Sequence, residues 1–180
     1  MRCKYCDTRY AYKEGEFLAL DEIVEQIEKY PVKNVEVTGG EPLLQDETLE
    51  LVEKLLTGGY QVLIETNGTV ELANIPQEVY KIVDIKTPDS GAEDSFLLSN
   101  LDYITERDNL KFVISSRKDF DWSVKFCESH DLGQRAEVLF SAARGELEYK
   151  TLCEWILDEA VNVRFQPQLQ KIIWAEEKRG

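Results

Sequence analysis

Short apolar segments alternate with amphipathic ones along most of the chain, and this alternation limits the folds it can adopt. Strands are predicted at residues 35–38, 60–65, 80–85, 111–114, 138–141 and 163–166. Helices are predicted at residues 21–30, 49–56, 122–128 and 152–157. Strands joined through helices run parallel in a sheet, so the pattern predicts an α/β fold with a parallel sheet. Polar residues that follow such strands collect at one edge, where we expect the functional site.

Length and charge narrow the class of protein further. A chain of 180 residues is long enough for one sizeable core and short for two, so we expect a single domain. No segment approaches the roughly 18 consecutive apolar residues of a membrane span, and no basic-then-apolar targeting pattern opens the sequence. The net charge of -14 disfavours binding to nucleic acid. We therefore expect a cytoplasmic protein with a small-molecule substrate and with neither a nucleic-acid nor a membrane partner.

Two of the four cysteines, Cys3 and Cys6, form a CxxC motif. Such a motif suits zinc, thiol–disulfide exchange or an iron–sulfur cluster. Zinc would need further ligands, but the chain has a single histidine, His130. The remaining cysteines, Cys127 and Cys153, lie in helical patterns typical of core residues. The motif by itself leaves the three kinds of site open.

Three polar segments follow predicted strands. Residues 38–42 read TGGEP, residues 65–69 read ETNGT and residues 84–91 read DIKTPDSG. Paired glycines let a backbone approach a ligand closely, and a carboxylate at the end of an apolar strand, such as Glu65, needs a partner. Turn chemistry also accounts for the Asn-Gly pair, and Lys86 could simply be solvated. The order of the segments along the chain is what favours a functional interpretation.

These segments resemble those of the 7-carboxy-7-deazaguanine synthases, a family of radical S-adenosylmethionine (SAM) enzymes. Residues 1–8, MRCKYCDT, are similar to the end of the CxxxCxxC motif of that superfamily. Residues 38–42 and 65–69 are similar to its GGEP motif and to the family's ETNGT motif. Residues 84–91 are the most family-specific segment, although Asp89 stands where serine is common.

Two further segments extend the resemblance toward the end of the chain. Residues 110–114, LKFVI, are similar to a KFVI strand of the family, and residues 165–174, FQPQLQKIIW, to its tail. Gln170 stands where the family usually has histidine. For Ile173 and Trp174 a position in the core is an equally good interpretation.

The resemblance also implies which residues bind SAM, the substrate and the metals. For SAM it implies Tyr5, Gly39, Gly40, Glu41, Glu65, Thr66, Asn67 and Lys86. For the substrate it implies Thr8, Gly40, Pro88, Ser90 and Gln168. It also implies that Cys3 and Cys6 hold a [4Fe–4S] cluster and that the Thr8 hydroxyl holds a Mg²⁺ ion, for which oxygen ligands are suitable. It implies no side chain as a catalytic acid or base.

The resemblance also implies an activity. This is the conversion of 6-carboxy-5,6,7,8-tetrahydropterin to 7-carboxy-7-deazaguanine with loss of ammonia, a lyase step toward queuosine and other deazapurines. SAM cleavage at the reduced cluster starts the reaction, and a flavodoxin or ferredoxin supplies the electron. The implied fold is a shortened, incomplete radical SAM-type (β/α) barrel, and the implied assembly is a homodimer. Another radical SAM enzyme, such as a glycyl-radical activase, is the alternative.

The first cysteine of the radical SAM motif would stand two positions before Met1. We therefore expect residues 1–180 to form one radical SAM domain that lacks the N-terminal strand and the first cluster cysteine. Two thiolates cannot replace three, so an inactive form without a full cluster is a further alternative. A cysteine codon two positions upstream of Met1 would show that the motif is complete in the reading frame and that the sequence is truncated.

Overall fold

The computed structural model describes residues 2–6, 9 and 15–174. The strands are β1 (Asn34–Val37), β2 (Gln61–Thr66), β3 (Tyr80–Ile85), β4 (Asn109–Ile114), β5 (Glu137–Ala142) and β6 (Arg164–Phe165). The α-helices are α1 (Leu20–Glu28), α2 (Thr48–Thr57), α3 (Arg117–Ser129), α4 (Tyr149–Asp158) and α5 (Leu169–Ile173). Short 3₁₀ turns occupy Pro42–Leu44, Pro88–Ser90, Glu93–Ser95, Leu98–Tyr103 and Leu132–Gln134.

The six strands form one sheet in the order of the chain, from β1 to β6. Each neighbouring pair is parallel. Within the described residues β1 and β6 lie at the two ends of the sheet and do not pair with each other, so the sheet is open. The predicted α/β fold, an incomplete barrel built on a parallel sheet, is confirmed.

One face of the sheet packs against the helices and forms the core. Alternate residues of each strand point to this face, because successive side chains of a strand point to opposite sides. Val62 and Ile64 of β2 and Phe112 of β4 are fully buried there, against Leu55 of α2 and Phe120 of α3. Full burial of one such side chain contributes about 1.5–3 kcal/mol. The opposite face, which we call the inner face, carries the charged residues described below.

Helix α3 begins five residues earlier than its apolar pattern predicts. The Ser116 side chain accepts a hydrogen bond from the backbone N–H of Asp119 and caps the helix. The first turn is largely charged, so hydrophobic periodicity does not reveal it. At 13 residues α3 is the longest described helix, and none of the described helices is both long enough and apolar enough to span a membrane.

The acidic, serine-containing composition of residues 91–100 predicts an exposed loop; five of the ten residues are exposed, and the others are partly or fully buried. Asn100 is inaccessible to solvent, and its side chain accepts a hydrogen bond from Leu72 N and donates to the carbonyls of Gly68 and Val70. Phe96 is also buried. The expectation is wrong for Phe96 and Asn100; the polar side chain of Asn100 is buried because it satisfies the backbone of a neighbouring turn.

Candidate active site

The carboxyl ends of β1, β2 and β3 bring the three polar segments together. Val37 lies opposite Ile64, and Thr66 lies opposite Val83. The loop after β1 therefore lies beside the turn after β2, which lies beside the end of β3. This is the edge at which the alternation of strands and helices predicts a site.

Glu41 joins the first two of these segments. Its Oε1 accepts hydrogen bonds from the Thr66 hydroxyl at 2.8 Å and from Leu43 N at 3.2 Å, and its Oε2 accepts one from Asn67 N at 2.7 Å. All three carboxylate contacts are within the protein, and Glu41 is only 8% exposed. Glu41 thus fixes the geometry of the site at the same time as it borders it.

Gly39 and Gly40 leave open space at this edge. No atom of the described part of the chain lies within 4 Å of the position that a Cβ would take on either residue, and both residues are exposed. Gly39 has a φ of +145°, which side chains rarely adopt. A ligand can approach the backbone here as closely as the sequence predicts.

Side-chain hydrogen bonds stabilise the turn after β2. The Asn67 side chain accepts a hydrogen bond from Thr69 N at 3.0 Å, and the Thr66 hydroxyl accepts one from Gly68 N at 3.2 Å. Gly68 has a φ of +68°, and a Cβ on it would lie 2.5 Å from a ring carbon of Phe96. Thr66 and Asn67, both predicted SAM ligands, therefore also build the turn that presents them.

The CxxC segment is itself a turn attached to the segment after β3. Cys6 N donates to Cys3 O at 3.2 Å, and Lys4 N donates to Ser90 O at 3.3 Å. Burial raises the pKa of the Cys3 thiol, as do the charges of Asp84 and Cys6, whereas Lys86 lowers it. The two predicted cluster ligands are thus neighbours at the same edge as the other motifs.

Tyr5 turns its hydroxyl into the protein. The hydroxyl is buried beside Thr87 and makes no well-formed hydrogen bond to a described residue, while the Thr87 hydroxyl donates to Val113 O at 3.0 Å. Burial, reinforced by the charge of Asp84, raises the pKa of Tyr5. Tyr5 therefore remains a neutral phenol next to the cysteines.

The predicted substrate residues Pro88 and Ser90 form a 3₁₀ turn after β3. The Ser90 hydroxyl donates its single proton to Thr87 O at 2.6 Å and accepts from Ala92 N at 3.1 Å. In this structure the Ser90 hydroxyl is therefore used within the turn and does not offer a donor to a ligand. Its carbonyl holds the CxxC segment, as described above.

Asp89, which departs from the family pattern, connects this turn to α3. Its side chain accepts from the Ser116 hydroxyl at 2.5 Å, and its backbone N–H donates to the fully buried Asp119 at 2.9 Å. The hydrogen bond from Ser116 and the nearby ammonium of Lys118 lower the pKa of Asp89. An acidic residue at this position thus anchors the turn.

A row of charged side chains crosses the inner face of the sheet. Lys86 Nζ lies 2.8 Å from Asp84 Oδ2, and Lys111 Nζ lies 2.7 Å from Glu65 Oε1. Burial alone would lower the pKa of both lysines, but the carboxylates around them outweigh it and raise the pKa of each. Glu36 of β1 lies beside Glu65. We call these five residues the inner-face charge row.

The tail contributes two amide side chains. The Oε1 atoms of Gln166 and of Gln168, the residue just before α5, are buried and accept no hydrogen bond from a described residue. Gln168 was predicted to bind the substrate, and an unpartnered acceptor suits that role. Ile173 and Trp174 are exposed, so the alternative that places them in the core is wrong. Cys127 packs against the core as predicted, and both Cys127 and Cys153 are partly buried.

The structure adds Glu36, Asp84, Lys111 and Gln166 to the residues that the sequence singled out as site residues. The signal for the first three is a charged residue at alternate positions of an otherwise apolar strand, which places the charge on one face. Thr8, predicted to bind Mg²⁺ and substrate, lies outside the described residues.

The donors present fit SAM and part of a cluster site. Gly39 and Gly40 leave open backbone, and buried oxygens of Tyr5, Gln168 and Asp84 (Oδ1) have no hydrogen-bond partner among the described residues; a polar ligand can use both features. Cys3 and Cys6 provide two thiols close together. Within residues 2–6, 9 and 15–174, no three His, Cys, Asp or Glu side chains are grouped so that they could hold a metal ion.

Comparison with known proteins agrees with this arrangement. The model of the radical SAM superfamily matches residues 1–133. The 7-carboxy-7-deazaguanine synthase of Koribacter versatilis is 42% identical, with 100% of this chain and 86% of that protein covered. The chain belongs to the 7-carboxy-7-deazaguanine synthase family of radical SAM enzymes. The synthase of Chlorobaculum tepidum is 36% identical, with 99% of this chain and 82% of that protein covered.

Solved structures show the same fold as this synthase-family chain. The crystal structure of QueE from Escherichia coli superposes with a TM-score of 0.71 at 20% identity, covering 92% of this chain and 79% of that one. SuiB from Streptococcus suis, crystallised with S-adenosylmethionine, gives a TM-score of 0.63 at 14% identity, covering 99% of this chain and 50% of that one. Membership of the superfamily implies SAM and a [4Fe–4S] cluster as cofactors.

Proposed function

We propose that this chain catalyses the 7-carboxy-7-deazaguanine synthase reaction. In that reaction 6-carboxy-5,6,7,8-tetrahydropterin contracts to 7-carboxy-7-deazaguanine and releases ammonia, a step toward queuosine and other deazapurines. The observation that carries the proposal is 42% identity to a protein of that name over the whole chain. The meeting of the predicted motifs at one edge of the sheet supports it.

SAM is proposed to lie along the carboxyl ends of β1, β2 and β3. Backbone groups of Gly39 and Gly40 would approach it, and the side chains of Tyr5, Glu65 and Lys86 would surround it. Glu41, Thr66 and Asn67 would keep the two loops at the correct separation through their hydrogen bonds. When bound, the reduced cluster and SAM supply the radical that starts the rearrangement; the protein orients the reactants and excludes water.

The metal sites are proposed for three residues. Cys3 and Cys6 would each give a thiolate to the cluster, for which they must lose the protons that burial favours. The Thr8 hydroxyl would be one oxygen ligand of a Mg²⁺ ion that also touches the substrate.

The substrate is proposed to lie between the loop after β1 and the tail. Gly40 and Pro88 would border it, and Gln168 would offer its buried Oε1, which accepts no hydrogen bond within the described residues, to an N–H group of the pterin. The turn closed by Ser90 would support this side of the pocket through its hydrogen bonds rather than through a donor of its own.

We propose that residues 1–180 act as one radical SAM domain within a homodimer. A flavodoxin or ferredoxin would reduce the cluster, and with such a reductant the enzyme would work in the cytoplasm.

The proposal is tested by turnover. The protein, expressed from its full reading frame and reconstituted anaerobically with iron and sulfide, is incubated with SAM, Mg²⁺, a reductant and 6-carboxytetrahydropterin. We expect 7-carboxy-7-deazaguanine and ammonia in equal amounts, measured by mass spectrometry and an ammonia assay, and no product from Cys3→Ala. SAM cleavage without consumption of the pterin would contradict the proposal and favour another radical SAM activity, such as activation of a glycyl-radical enzyme.

A further inference from the structure

Lys111 forms an ion pair that its position in the sheet does not dictate. In the register of β3 and β4, Lys111 lies opposite Asp84. Its Nζ nevertheless lies 2.7 Å from Oε1 of Glu65 on β2, two strands away. Asp84 pairs through Oδ2 with Lys86, and its Oδ1 is buried without a hydrogen-bond partner among the described residues. Lys111 thus bonds to the more distant carboxylate while an acceptor of the nearer one stays unused.

The pair is partly shielded from water. The side chain of Lys111 is 15% exposed and that of Glu65 is 26% exposed. An ion pair in such surroundings is screened less than a surface pair, so it restricts the carboxylate more strongly. Lys111 also crosses β3 to reach Glu65, which fixes the direction of the ammonium.

The charges that face Glu65 come from three neighbouring strands. Glu36 lies on β1, Asp84 and Lys86 lie on β3, and Lys111 lies on β4. Although Glu36 is an exposed residue, desolvation of its carboxyl and the charge of Glu65 raise its pKa, and Lys111 opposes this increase. Without the lysine, the Glu36 carboxyl would face the charge of Glu65 with no opposing ammonium from β4.

We propose that Lys111 is a positioning residue that holds the Glu65 carboxylate directed at the ligand site. Glu65 can then accept hydrogen bonds from the vicinal hydroxyls of the SAM ribose. Lys111 itself lies behind Glu65 and acts through it. This inference rests on the proposed function, since it assigns Glu65 to SAM, but its effect on the inner-face charge row is a property of the protein without cofactor.

The first test needs no cofactor. Infrared spectra recorded during a pH titration report the protonated carboxyl of Glu36, which Glu36→Gln identifies by its loss. In Lys111→Met we expect this carboxyl to bind its proton at a higher pH, because a nearby ammonium is gone. Lys111→Arg keeps the cation and should titrate like the wild-type protein. An unchanged titration in Lys111→Met would overturn the inference.

The second test is SAM binding, measured by calorimetry on the reconstituted protein without substrate. Lys111→Met should weaken binding about 10- to 100-fold, and Lys111→Arg should restore most of it. Because Lys111 acts through Glu65, adding Lys111→Met to Glu65→Gln should cause no further loss. Additive losses would mean that Lys111 touches SAM directly and would overturn the positioning role.

Control variants distinguish a folding defect, or failure of the proposed function, from failure of the positioning role of Lys111. Lys54→Met removes a lysine paired with Asp21 on the surface and should change neither measurement. If Lys111→Met does not fold, Lys111→Gln replaces it, and Glu65→Gln should shift the Glu36 titration in the opposite direction, to lower pH. The wild-type protein could fail to bind SAM while Lys111→Met still shifts the Glu36 titration. That result would refute the SAM site but would support the effect of Lys111 on the charges of the inner face. Normal SAM binding by Lys111→Met would refute the positioning role.

Discussion

The Thr66 hydroxyl at the end of β2 donates a 2.8 Å hydrogen bond to the Glu41 carboxylate on the loop after β1. Both residues are buried, and they are 25 positions apart in the chain. The bond therefore fixes the relative position of the two loops that carry the first two motifs. A buried hydrogen bond to a charged group stabilises the fold more than a neutral one does.

Replacing either partner should destabilise the protein. We expect Glu41→Gln to lower the free energy of unfolding by about 1–3 kcal/mol, because Thr66 Oγ1 and Asn67 N lose a charged acceptor. Thr66→Val should also destabilise, since it removes one donor to Glu41 and the acceptor of Gly68 N. Urea unfolding of both variants and of the double variant measures the coupling. Losses that simply add would show that the two side chains do not act together.

Gly68 cannot carry a side chain. Its φ of +68° and the 2.5 Å approach to Phe96 lead us to expect that Gly68→Ala costs about 1–3 kcal/mol of stability. Gly133→Ala is the matched control, because no atom of a described residue lies within 4 Å of its Cβ position, and it should change stability little. Thermal unfolding compares the two. A Gly68→Ala variant as stable as Gly133→Ala would contradict the packing described here.

Replacing Asp108 should destabilise the protein more than replacing Lys81, its partner in a buried ion pair. Asp108 accepts hydrogen bonds from Lys81 N, Thr105 N and the Thr105 hydroxyl, and its Oδ2 lies 3.0 Å from Lys81 Nζ. Asp108→Ala leaves a buried ammonium without a partner and three unsatisfied donors, so we expect a loss of about 3–5 kcal/mol. Lys81→Met leaves Asp108 with its three hydrogen bonds and should cost less. Equal losses in urea unfolding would show that those hydrogen bonds do not matter.

Asn100 should be essential for the segment 91–100. Its side chain makes three hydrogen bonds, each 3.0 Å long, to the backbone of residues 68–72. We expect Asn100→Ala to cost about 3 kcal/mol, roughly 1 kcal/mol for each bond. Asn100→Asp keeps the shape but loses both donors, so it should also destabilise. Hydrogen exchange at Leu72 N should quicken in Asn100→Ala, and unchanged protection there would count against this role.

Cys127 should react slowly with alkylating reagents. Burial, with a smaller contribution from Glu128, raises its pKa from 9.0 to about 12. The thiolate fraction at pH 8 then falls roughly 1000-fold, and the thiolate is the reactive form. We expect alkylation by iodoacetamide at least about 100-fold slower in the folded protein than in urea, measured by mass spectrometry of the Cys127 peptide. Equal rates would contradict the burial.

The same shift gives a pH dependence of stability. The unfolded thiol loses its proton near pH 9 and the folded one only near pH 12. The contribution of Cys127 is therefore complete below pH 9 and is lost as the pH rises toward 12. Cys127→Ala should remove this part of the decline seen in urea unfolding at alkaline pH, and an identical decline in the variant would contradict the assignment.

The strands and helices were largely predictable because their signals are local. Residues 80–85 were predicted to be a strand with the bounds that β3 has, since apolar periodicity and a following turn mark them directly. The start of α3 was missed because a capping serine and a charged turn carry no apolar periodicity. The burial of Asn100 was missed because its partners lie about 30 residues away.

The sequence by itself determined the parallel α/β sheet, the edge at which the motifs meet and the family resemblance, since each depends on residue type and order along the chain. Only the tertiary structure decided which motif residues support the site from within, as Glu41 and Ser90 do. It also decided that Lys111 pairs with Glu65 rather than with Asp84. The physical reason is that such contacts depend on strand register and on side-chain direction across several strands. A short, partly buried ion pair forms only where both of these bring the two charged groups together.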